Sequence, residues 1–99
     1  MTEQFKDILN FPNYQISNYG NVYSKQSKKI IPSWNDGNGY RAIHLWKNNR
    51  QYTKKIHRLV AEAFISNPNN YRDVNHKDEN KENNVVFNLE WITHQDNLN

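Results

Sequence analysis

From Tyr14 to Ile56 apolar and polar residues alternate in short runs that Asn, Gly and Pro keep interrupting, a pattern that predicts strands separated by tight turns. Tyr14-Gln15-Ile16 leads into a reversal at Ser17-Asn18-Tyr19-Gly20, and Val22-Tyr23-Ser24 returns from it. Lys28 to Ile31 forms the next run, stopped at Pro32, and an Asn- and Gly-rich loop covers Ser33 to Gly39. Tyr40 to Lys47 reads as a longer strand with Tyr40, Ala42, His44 and Trp46 on one face and Arg41, Ile43, Leu45 and Lys47 on the other. Asn48-Asn49 turns it, and Tyr52 to Ile56 is its expected partner, giving a small antiparallel sheet.

The period changes at Arg58. Leu59, Val60, Ala63 and Phe64 recur at helical spacing, with Arg58 and Glu62 on the opposite side, and Ser66-Asn67-Pro68 ends the helix because the residue before proline is pushed out of helical geometry. Beyond it, Val74 leads as a short strand into Asn75 and His76. A polar loop runs from Lys77 to Phe87, and Leu89-Glu90-Trp91-Ile92 alternates like a half-buried strand. Thr93 is a candidate N-cap for a last helix of about two turns that carries Asn97.

At 99 residues the chain has room for one small domain or two fused modules and a limited core. Aromatics make up 13% of it, so they are expected to dominate that core, Trp34, Trp46 and Trp91 included. Mean hydropathy is low, at −1.11, but the recurrent apolar runs argue for a folded chain. With no cysteine, disulfides and four-cysteine zinc clusters are excluded. No apolar stretch suits a signal peptide or a membrane span, which leads to the expectation of a cytoplasmic protein in a bacterial or phage-infected cell. The net charge of +3 hides a split: residues 1–72 hold eleven Lys or Arg against four Asp or Glu, and residues 73–99 hold two against six. A basic body attracts a polyanion, and an acidic end tolerates a cation.

Chemistry concentrates in that acidic end. Hydrolysing a phosphodiester takes a base for the attacking water and a cation for the charge on phosphate and leaving oxygen. His76 can be the base, since an ordinary imidazole is largely neutral at pH 7. Asn75 and Asn97 offer amide oxygens of the type that magnesium or manganese accepts, with Asp73 and Asp78 as alternative ligands.

The string V-N-H-K-D-x-N-K-x-N-N-x-x-x-N-L-E-W resembles the HNH homing-type endonucleases of phages and mobile introns, whose site is a ββα-metal finger. Ile56 to Ile65 resembles the segment before that finger, and F-K-D-I with Y-Q-I-S-N-Y-G-N-V-Y-S resembles the small DNA-binding module often fused to it. The resemblance implies an α+β fold: an N-terminal antiparallel β module over residues 1–55, a connecting helix, and a C-terminal finger within residues 56–99. It gives His76 the role of general base, Asn75 and Asn97 the roles of ligands to one Mg²⁺ or Mn²⁺, and Asn88 that of holding the loop and orienting the histidine. Two positions depart from the pattern. Asn75 stands where many members have Asp, so the cation is expected to bind weakly without DNA, and Glu79 stands where the family has Gly at a turn.

Lys25, Lys28, Lys29, Arg41, Lys47, Arg50, Lys54, Lys55 and Arg58 are opposed by only Asp36 in their stretch, which suits phosphate neutralisation along a duplex. The expected activity is metal-dependent hydrolysis of double-stranded DNA. A single site cuts one strand per visit, which makes nicking the simplest outcome, and no membrane or obligate protein partner is implied. A DNA-binding accessory or regulatory protein derived from such a nuclease, weak or inactive in cutting, is the alternative.

Overall fold

The structure, a computed structural model, describes residues 1–97 and is an α+β arrangement of three antiparallel sheets and two helices. The first sheet holds β1 (Phe5–Ile8), β2 (Phe11–Ser17), β3 (Val22–Ser24) and β4 (Lys29–Ile31) in sequential order. The second holds β5 (Trp34–Asn35), β6 (Arg41–Lys47) and β7 (Arg50–Lys55). Helix α1 (Ile56–Phe64) follows, then a hairpin of β8 (Asp73–His76) and β9 (Leu89–Ile92), and a short helix α2 (His94–Asn97).

The single expected sheet is therefore two, and β1 and β5 join the predicted strands. Pro32 supplies the reason for the division, since it has no N–H with which to extend a ladder past β4. The turn between β6 and β7 puts Asn48 and Asn49 at φ +52° and +62°, the pair of positive angles that a two-residue hairpin with native twist demands and Asn tolerates. Helix α1 starts at Ile56, two residues before the expected position, and Ile65 is already extended at φ −121°.

Helix α1 is the centre of the packing. Its Ile56, Leu59, Val60 and Ala61 are buried and join Ile16 and Val22 of the first sheet, Ile43 and Leu45 of the second, and Val74 and Leu89 of the hairpin in one apolar cluster. Along β6 the inward face is the one carrying Ile43 and Leu45, both fully enclosed. The aromatic expectation is corrected here: Trp34 and Trp46 are exposed, because they belong to the outward face of the second sheet, where Trp34 lies against His44. Trp91 is half-buried on the cluster, and its indole N–H donates to the Ile65 carbonyl at 3.0 Å.

The front strands and the long loop after β8 are tied together at several points. Val86 N–H donates to the Asn18 carbonyl, Lys81 Nζ donates to the Asn38 carbonyl, and Arg41 pairs with Glu82 at 3.3 Å. Gly20, at φ +92°, sits so close to Asn84 that a Cβ there would lie 3.1 Å from the Asn84 Cβ.

Candidate active site

Strand alternation sorts the hairpin's side chains onto two faces. Val74 and His76 are buried on the side of α1, whereas Asp73 and Asn75 belong to the side on which α2 returns. Cross-strand register sets Asn75 opposite Glu90 and His76 opposite Leu89.

On the α2 side, Asn75 Nδ2 donates to Glu90 Oε2 at 2.8 Å, which leaves the Asn75 amide oxygen available. Asn97 Nδ2 donates to Asp73 Oδ2 at 3.1 Å, and His94 Nδ1 lies 2.8 Å from the same oxygen. Thr93 caps the helix that delivers both residues, its Oγ1 accepting from Asp96 N–H. The hydrogen bonds from His94, Asn97 and Arg72 hold the Asp73 carboxyl below its ordinary pKa. The side thus gathers two amides and two carboxylates, all hard oxygen donors. Among the described residues no group of three or more His, Cys, Asp or Glu converges as a metal cluster.

On the other side, His76 Nε2 lies 2.7 Å from Asn84 Oδ1. An amide oxygen only accepts, so Nε2 is the donor here, and in the neutral ring the lone pair then lies on Nδ1. No described residue bonds that Nδ1. The His76 ring packs near His57 and Tyr40, with centroids at 5.1 and 6.1 Å, and Tyr40 stacks on His57 at 4.9 Å. Burial pushes the His57 pKa down to about 4, helped by the neighbouring His76 ring and the positive Arg58 and Lys55, and its Nδ1 is enclosed without a partner.

Asn88 spans the intervening loop. Its Oδ1 accepts from Asp78 N–H at 3.0 Å, and its Nδ2 donates to Asp78 Oδ1 and to the Asn83 carbonyl. Bonds from Asn83, the Asn80 backbone and Asn88 hold the Asp78 carboxyl below its ordinary pKa, so Asp78 is occupied as the loop's internal anchor. Glu79 takes φ +64° at the turn.

Asn75 lies on the Asp73 side of the strand, where Asn97 returns, and His76 follows at the strand's end on the side of α1. Adjacent residues of a strand cannot share a face, and His76 directly follows Asn75. Asn84, Tyr40 and His57 were not singled out for the site by sequence reasoning. Asn84 is one of many asparagines, and Tyr40 and His57 reach His76 only through tertiary packing.

Comparison with known proteins gives these residues a context. The NUMOD4 motif matches residues 3–46. The whole chain is 43% identical to 30% of an uncharacterized HNH endonuclease, L245, of Acanthamoeba polyphaga mimivirus. DNA endonuclease I-HmuI of Bacillus phage SP01 is 40% identical over 96 residues, covering 96% of this chain and 55% of that one. The solved structure titled "DNA binding and cleavage by the HNH homing endonuclease I-HmuI" superposes with a TM-score of 0.88, at 39% identity, over 96% of this chain and 55% of that one. Over nearly its whole length the chain is similar to proteins named as HNH endonucleases. It spans between about a third and just over half of the length of these HNH relatives.

The basic residues of the chain fall into two groups. Lys25 pairs with Asp7 at 2.9 Å, Lys55 with Asp36 and Arg41 with Glu82, while Arg58 donates to the Arg72 carbonyl and lies over Trp91. Lys47 and Lys54 lie over the Phe11 ring, and Lys47 also donates to the Asn10 carbonyl. Lys28, Lys29 and Arg50 are exposed and make no ion pair among the described residues. Among the described residues no helix is long and apolar enough to cross a membrane.

Proposed function

We propose that this chain hydrolyses phosphodiester bonds of double-stranded DNA as an HNH endonuclease, nicking one strand per visit, with His76 as the general base. The observation that carries this reading is the 2.7 Å contact between His76 Nε2 and Asn84 Oδ1, which commits one ring nitrogen and leaves the other basic. Asn75 and Asn97 are the proposed ligands of a magnesium or manganese ion. Their oxygens suit a hard cation, and Asp73 and Glu90 beside them supply the negative charge that the amides lack. Such an ion would stabilise charge on the phosphate and the departing oxygen.

The two-faced layout is chemically usable. In-line displacement at phosphorus separates the attacking and leaving oxygens, so a base on one side of the strand end and oxygen ligands on the other suit the two ends of that reaction. Asn88 holds the loop that joins them, and Lys28, Lys29 and Arg50, in no ion pair among the described residues, would meet DNA phosphates. The test is nicking of supercoiled plasmid with magnesium or manganese. Loss of at least about a hundredfold in rate is expected for His76→Ala, and removal of the cation by chelation is expected to stop nicking. Equal rates for wild type and His76→Ala would overturn the assignment.

A further inference from the structure

Resting on that reading, we propose that His57, backed by Tyr40, is a positioning residue for His76: it seats the imidazole in the plane where Nε2 donates to Asn84 and Nδ1 is left basic. Three observations on different elements carry it. Tyr40, at the foot of β6, stacks on His57 with 20° between the rings, and His57 in the first turn of α1 lies 5.1 Å from the His76 ring at 43°. The third is the enclosed Nδ1 of His57, which has no partner. If this ring were only filler, an apolar side chain would fill the space without leaving a polar atom unpaired. His57 is also neutral at physiological pH, so it offers no charge to repel a proton arriving on His76.

The Tyr40 ring is itself held from outside, with the Lys81 ammonium 4.5 Å and the Lys55 ammonium 6.0 Å from its centroid. Lys81 comes from the loop after β8, and Lys55 is paired with Asp36 in the loop before β6. The seat of the base is therefore assembled from three parts of the chain.

The experiment compares wild type, His57→Ala and His57→Phe in the full chain by three readouts: nitrogen NMR shifts of the His76 ring, kcat and KM for plasmid nicking, and melting temperature. Wild type is expected to show one tautomer with the proton on Nε2. Both variants are expected to lose that single-tautomer signature and to drop kcat by roughly tenfold to a hundredfold, with KM within about twofold. The Phe variant, which refills the space and removes the unpaired nitrogen, is expected to melt no lower than wild type. A structural role alone would make stability and kcat move together. Retention of the wild-type tautomer and kcat by His57→Phe would overturn the inference, and this variant decides the matter if His57→Ala does not fold. Should the wild-type chain fail to nick DNA, the nuclease reading falls, while the NMR signature still decides whether His57 seats His76.

Discussion

At the scale of single residues, position in a strand decides more than residue type. Asn75 and His76 are neighbours in sequence and opposites in space, and the sequence motif that names both says nothing of the side each takes. The positive φ of Glu79 was foreseeable, because the resemblance puts glycine at this turn; Asn84 was hidden among many asparagines. His57 has a consequence for stability. Its folded pKa of about 4 lies below the ordinary 6.5, so between these values the unfolded chain takes up a proton that the folded one refuses. Its neutral form is favoured by folding; stability is fully present above about pH 6.5 and falls as pH drops toward 4, by at most about 3 kcal/mol. Chemical denaturation across that window should give a flatter profile for His57→Phe than for wild type.

At the scale of elements, the hydrophobic period revealed most of the fold. The apolar stripe of α1, the alternation in β6 and β9, and the Thr93 cap all lie where residue pattern indicates. What the pattern missed were elements defined by partners. Strand β1 carries no clear alternation and is mostly exposed, and β5 is two residues long. The split into two sheets follows from how the chain turns after Pro32, a long-range property. The turn between β2 and β3 is joined to the loop after β8 in the same long-range way, through Gly20 against Asn84 and Val86 N–H on the Asn18 carbonyl. Gly20→Ala meets both an unfavourable φ and a neighbour at 3.1 Å, so unfolding experiments should show a loss of about 1–3 kcal/mol. A wild-type value for that variant would mean the junction yields freely.

At the scale of the whole molecule, charge is the clearest signal in the sequence, but only part of it is free in the fold. Three of the nine basic residues are spent on carboxylates, and three others on rings or carbonyls. A count of lysines and arginines therefore overstates the contacts open to DNA phosphates. Binding to duplex DNA should weaken with salt, and replacing Lys28, Lys29 and Arg50 together by Ala should lower the slope of log affinity against log salt by about 2–3, since each phosphate contact contributes roughly 0.9. An unchanged slope would move the DNA-facing surface elsewhere.

The placement of Tyr40 bears on engineering. Transplanting only the hairpin and α2 into another scaffold would carry the motif and leave behind the ring packed near His76, so a donor fragment should begin no later than the loop that contains Asp36. A substitute for the first half of the chain would have to reproduce that aromatic floor of Tyr40 and His57.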